Sequence, residues 1–144
     1  MAKKKIIVSF DYEHDNTYYY LLKAWSNNER FDFTFLDCTP KEIASESVQT
    51  IKQVLSTKIH EASCMIAIIG RHSNDQHPDH EEIGYKNWQA YEIAKNNEWG
   101  NDLVVVKIDK YNVAPTEAYS IGAHWASSFS EDSIEEALKG CCNK

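Results

Sequence analysis

Apolar residues along this chain fall into two kinds of run, and the two kinds alternate. Short, nearly continuous apolar runs occur at Lys4 to Phe10, at Phe33 to Asp37 (FTFLD), at Ser63 to Gly70 (SCMIAIIG) and at Asp102 to Ile108 (DLVVVKI). Runs of this length with little polar alternation predict strands covered on both faces. Between them, apolar positions recur at helical spacing. Tyr18, Leu21, Leu22 and Trp25 form one stripe, with Asp15 as its expected cap. Val48, Ile51, Leu55 and Ile59 form a second. Ahead of it, Thr39-Pro40-Lys41-Glu42 is a capping-box pattern with proline at the first helical position, and the break at Ser45 to Ser47 delays the helix start. A third helix is predicted from about Lys86 to Asn97, with Ala90, Ile93 and Ala94 as a small inward face. Ala123 to Ala126 reads as a short fifth strand that puts Trp125 in the core. Ser130 caps a last helix carrying Ile134, Ala137 and Leu138, and Gly140 stops it.

Strand–helix alternation with apolar central strands predicts an α/β, flavodoxin-like three-layer sandwich: a five-stranded parallel sheet of order 2-1-3-4-5 with helices on both faces. A chain of 144 residues supports one core, so residues 1–144 are expected to form a single domain. Such sheets bind ligands at the carboxyl ends of their strands, where the strand order reverses. That rule selects Ser9 to Asp15, Asp37 to Thr39, and Gly70 onward. The first of these is acidic and lacks glycine, which makes it a poor phosphate cradle. It also lacks a Ser/Thr-rich flavin loop. Gly70 stands where a phosphoacceptor receiver domain needs an aspartate, and no GxxxxGK occurs.

Composition narrows the partners. The formal net charge is −7, and the only basic cluster is Lys3 to Lys5, a solvated lead-in to the first strand. A positive face able to displace counterions from nucleic acid is therefore not expected. No stretch approaches the ~20 apolar residues of a membrane span, and no signal peptide is visible, which predicts a cytoplasmic protein. The four cysteines form no CxxC pair, so all four are expected as free thiols, Cys141 and Cys142 being adjacent in a frayed tail. The stretch from Arg71 to Lys86 holds His72, His77, His80, Asp75 and Asp79, donors that suit zinc or nickel. Their spacing matches no ligand pattern, so an exposed, metal-free lid or partner loop is expected. His14, His60 and His124 are isolated and receive no ligand role.

Glu92 poses the sharpest question. It stands four residues after Trp88, on the same side of the third helix, and borders the Ala90–Ile93–Ala94 face. Spacing alone leaves two readings open: a solvated charge paired with Lys95 or Lys86, or a carboxylate walled by an indole and facing a ligand. The segments VSFDYEHD at 8–15, CMIAIIGRHS at 64–73 and WQAYEI at 88–93 then add a resemblance. In this order the chain resembles TIR-like domains, most closely the short ThsB-type proteins of bacterial Thoeris antiphage defence. The stretch between Gly70 and Trp88 is longer than in that pattern, and beyond residue 100 the likeness is architectural.

The resemblance implies an enzyme that cleaves the N-glycosidic bond of NAD+, releases nicotinamide and makes a cyclic ADP-ribose-type signal. It gives Glu92 the catalytic role and places Phe10, Asp11, Ser73 and Trp88 around the substrate. NAD+ would be a substrate rather than a bound cofactor, and no metal is implied. The implied partners are further copies of the chain on activation, a phage-derived trigger and a signal-receiving effector protein. The alternatives are a nucleoside deoxyribosyltransferase-like enzyme, which uses a glutamate on a sugar in a similar sheet, and a non-catalytic TIR-like interaction module.

Overall fold

A computed structural model of the chain describes residues 4–28, 32–43, 45–119 and 122–141. Lys3 and Cys142 lie outside these residues, as does the side chain of Cys141. The strands are β1 (Lys4–Ser9), β2 (Phe33–Asp37), β3 (Cys64–Ile69), β4 (Asp102–Lys107) and β5 (His124–Trp125). The helices are α1 (Tyr12–Ser26), α2 (Val48–Glu61), a single turn α3 (His80–Ile83), α4 (Trp88–Glu98) and α5 (Glu131–Cys141). All strand pairs are parallel, in the order β2-β1-β3-β4-β5. The expected flavodoxin-like sheet is therefore present, with β1 and β3 at its switch point.

Successive residues of a strand face opposite sides of a sheet, and the core divides accordingly. Ile6, Val8, Ile66, Ile68 and Val104 pack with Tyr19 and Leu22 of α1 and Ile134 and Leu138 of α5. Ile7, Met65, Ala67, Ile69 and Val105 pack with Ile51, Leu55 and Ile59 of α2 and with Tyr91 and Ile93 of α4. Every residue of β3 is buried, as its unbroken apolar run requires. Among the described residues no helix is long and apolar enough to cross a membrane.

Several local expectations change. Asp11, not Asp15, caps α1, accepting from the Glu13 amide at 3.1 Å, and Asp15 lies buried inside the helix. Of the expected α1 stripe, Leu22 is core and Tyr18 and Trp25 pack partly buried against it, while Tyr19 joins the core and Leu21 is 41% exposed. Pro40–Glu42 forms only a 3-10 turn, and α2 starts at Val48 behind a Ser47 cap. Ser130 caps α5 as expected, but the helix runs through Gly140 to Cys141. Trp125 is not core. β5 is a two-residue edge strand, too short to enclose an indole, and the side chain is 41% exposed. The thiol expectation holds for Cys38, which is free and buried. Cys64 instead is disulfide-bonded, to a sulfur outside the described side chains. No CxxC spacing surrounds Cys64, so no sequence motif reveals the bond.

Candidate functional site

The carboxyl ends of β1, β2 and β3 open into a cleft of about 650 Å³. That volume lies within the range of small-molecule sites, roughly 300–1,000 Å³. The turn from β1 into α1, the turn after β2, the segment after β3 and the first turn of α4 form its walls. Four of the five expected site residues, Phe10, Asp11, Ser73 and Trp88, line it. Glu92 is not in the lining; it sits one helical turn deeper along α4.

The four lining residues differ in how free they are to meet a ligand. Phe10 is 3% exposed and stacks on Tyr19 at 4.8 Å, so it is part of the floor rather than a free platform. Asp11 spends one oxygen capping α1 and the other on His14 Nδ1 at 2.7 Å. Ser73 is buried; its Oγ accepts from the Gly70 amide at 2.8 Å and closes the turn after β3. Trp88 is half-buried, edge-on to Tyr91 at 5.7 Å and to His77 at 6.5 Å. It is the one of the four with aromatic surface left for a ligand.

Glu92 is neither solvated nor paired with a lysine. It is 1% exposed, and Lys95 pairs with Glu98 instead. Ser9 Oγ, at the end of β1, donates to Glu92 Oε1 at 2.6 Å, while Oε2 is buried with no hydrogen-bond partner. Burial pushes the Glu92 carboxyl well above the usual carboxylate range; the Ser9 bond opposes this, Asp37 adds to it and Lys58 opposes it. Desolvation of the charged form outweighs one neutral donor, so the fold favours the protonated acid. Beside it, Gln89 Nε2 donates to the carbonyls of Ser9 and Ile68 at 3.1 and 2.8 Å and ties β1 to β3 under the cleft.

The histidine-bearing segment after β3 is folded. Asn87 caps α4 by accepting from the Ala90 amide at 2.9 Å, and its own amide donates to the carbonyls of Ser73 and Asp75 at 2.9 and 2.8 Å. Ile83 of α3 is fully buried beneath the segment. Across the cleft rim, His72 stacks on His14 at 3.9 Å, and its Nδ1 lies 2.7 Å from Asp75 Oδ2. Among the described residues no three His, Cys, Asp or Glu side chains converge as a metal site.

Asp15 lies below this rim. It is 6% exposed, and burial, reinforced by Asp11 and opposed by His14 and His72, raises its carboxyl to about 6. The Asp15 carboxylate packs directly over Gly70, where a Cβ would force it to move. Sequence reasoning assigned no role to Ser9, Gln89, Asn87 or Asp15 in this arrangement. Asn87 alone carried a readable signal, since asparagine before an apolar helical run is a favoured cap. The others act through contacts made across the sheet.

A parallel 2-1-3-4-5 sheet with a glutamate-bearing helix packed behind its carboxyl edge defines a flavodoxin-like domain of TIR-like architecture. The family model described as Thoeris protein ThsB, TIR-like domain, matches residues 7–112, and the chain belongs to that family. Solved structures share the fold at low identity. A 2-deoxyribosyltransferase from Bacillus psychrosaccharolyticus is 15% identical with a TM-score of 0.58, over 91% of this chain and 90% of its own. A prokaryotic SEFIR domain is 10% identical with a TM-score of 0.54, over 96% and 95%. The 2-desoxyribosyltransferase of Leishmania mexicana is 15% identical with a TM-score of 0.52, over 88% and 77%. Comparison with curated proteins returns no match.

Proposed function

We propose that this TIR-like domain is an NAD+-cleaving enzyme of antiphage defence, in which Glu92 acts on the ribose. It would work in the cytoplasm, release nicotinamide and form a cyclic ADP-ribose-type signal for an effector protein. The observation that carries this reading is the buried Glu92–Ser9 pair directly behind the cleft at the sheet's switch point. Surface charges do not need such a setting, and a buried carboxyl with a strongly perturbed acidity beside a cleft is a candidate functional group.

The chemistry follows from the charge that develops. Nicotinamide departs neutral from a cationic ring, so it is already a good leaving group. The ribose left behind resembles an oxocarbenium ion, which a carboxylate stabilises, as in glycoside hydrolysis. Glu92 must be ionised to do this, whereas burial in the resting fold disfavours the ionised form and keeps the side chain out of the cleft lining. A shift of the first turn of α4, or of the segment pinned by Asn87, would admit substrate and water and return the carboxyl to its ionised form. In this reading the resting domain is silent, and a trigger or self-association supplies the shift. How fully the closed site then excludes water decides between hydrolysis and cyclisation.

The absence of Glu92 from the cleft lining favours one competing reading, a non-catalytic interaction module in which the acid is only a buried structural group. The test is incubation of concentrated or triggered protein with NAD+ and, separately, with a 2′-deoxynucleoside plus a free base, followed by chromatography. Nicotinamide with a cyclic ADP-ribose-type product is the expected outcome. Base exchange without nicotinamide release would favour the transferase reading, and no turnover of either would favour the module.

A further inference from the structure

The charged side chains of the cleft wall are mostly acidic. Asp11, Glu13 and Asp75 line it, and Lys41 is the one lysine or arginine among its described lining residues. Lys41 stands in the 3-10 turn after β2, held in place by Thr39 Oγ1, which donates to Asp37 Oδ1 at 2.6 Å, and by the Ile43 amide, which donates to the Pro40 carbonyl at 3.0 Å. Its Nζ lies 5.8 Å from the centroid of the Tyr12 ring and makes no ion pair with a described carboxylate. The opposite rim is different. There Asp11 and Asp75 are each occupied by an imidazole, and a phosphate would meet carboxylates.

We infer that Lys41 selects the substrate class: it takes the phosphate of a nucleoside phosphate or diphosphate and sets that group beside Tyr12, away from the acidic rim. This rests on the glycosidase reading of the same cleft and deepens it. An ammonium left over an aromatic ring without a counter-ion is a ready partner for an anion. The opposite rim presents carboxylates already held by imidazoles, so Lys41 is the one permanently charged cation among the described lining residues that can fix which end of the ligand lies where. A nucleoside without phosphate gains nothing from Lys41, so the residue separates nucleotide substrates from free nucleosides.

Calorimetric titration of the whole chain with ADP-ribose and with adenosine tests this without requiring turnover. Wild type is expected to bind ADP-ribose more tightly than adenosine, with the difference shrinking as salt rises. Lys41→Met should weaken ADP-ribose about tenfold, the size of one charge-assisted contact, and leave adenosine unchanged. Lys41→Arg should keep most of the preference. Lys110→Met, the same charge change at a lysine set over Tyr111 outside the cleft, should change neither affinity. Equal binding of ADP-ribose by wild type and Lys41→Met, an equal loss for both ligands, no wild-type preference for ADP-ribose, or an equal effect from Lys110→Met would each overturn the assignment. Lys41-dependent binding by a protein that releases no nicotinamide would sink the catalytic reading and leave this one standing. Nicotinamide release with no such dependence would do the reverse.

Discussion

Glu92 and Asp15 each hold a carboxyl oxygen in the interior with no hydrogen-bond partner. Both acids are raised by burial, so both bind a proton more tightly in the folded chain than in the unfolded one. Their effect on stability therefore has the opposite sign to that of a salt-bridged carboxylate: it is favourable at acid pH and lost as pH rises. For Asp15 the window runs from its ordinary value of 3.8 to about 6. Asp15→Asn, which stays neutral, should flatten the fall in stability across that window and make the protein about 1–3 kcal/mol more stable at pH 7, the free energy that goes with raising a carboxyl from 3.8 to about 6. Urea unfolding at several pH values measures this, and an unchanged pH slope would mean that the buried carboxyl finds water. Neither acid is recognisable as buried from its neighbours in sequence. Asp15 reads as a cap because it precedes an apolar stripe, yet Asp11 takes the cap and leaves Asp15 facing Gly70.

Helix α4 shows why an inward face read from periodicity was too narrow. Ala90 and Ile93 are buried as expected while Ala94 is only partly so, and Gln89, Tyr91, Glu92 and Asn96 are buried too. The helix lies on the sheet, and α2 and the 3-10 turn at Thr116–Tyr119 flank it, so most of its circumference is covered. Periodicity reports one buried stripe and is silent when neighbours enclose the remainder. The helix start is fixed by Asn87, which also pins the preceding segment. Asn87→Ala removes the cap and both bonds to that segment, and should cost about 2–3 kcal/mol, the sum of a lost cap and a loosened loop. Asn87→Ser keeps a capping oxygen and should cost less. Hydrogen exchange should quicken between residues 72 and 87 in both variants. Equal stability of Asn87→Ala and wild type would show that the segment is held by other contacts.

At the scale of the whole molecule, the sheet order was legible because fully buried parallel strands have an unmistakable composition, and right-handed crossovers leave few ways to connect them. The cleft was legible as well, since strand order alone locates the switch point. Burial of Glu92 behind that cleft was not, because it depends on Ser9, 83 positions away in sequence. The same distance makes the central claim testable. Gln matches the size of the acid and can still accept from Ser9, so Glu92→Gln should fold and, like Asp15→Asn, be at least as stable as wild type at pH 7. It cannot supply the negative charge that a ribosyl cation needs, and losing one preorganised electrostatic contact costs roughly 10²–10³ in rate. The decisive measurement is nicotinamide release from NAD+ by wild type and by Glu92→Gln, under triggering or crowding conditions in which wild type turns over, with circular dichroism confirming that both are folded. A folded Glu92→Gln protein slowed by that factor is the expected result; a folded Glu92→Gln protein that releases nicotinamide at the wild-type rate would contradict the assignment of Glu92 as the catalytic group.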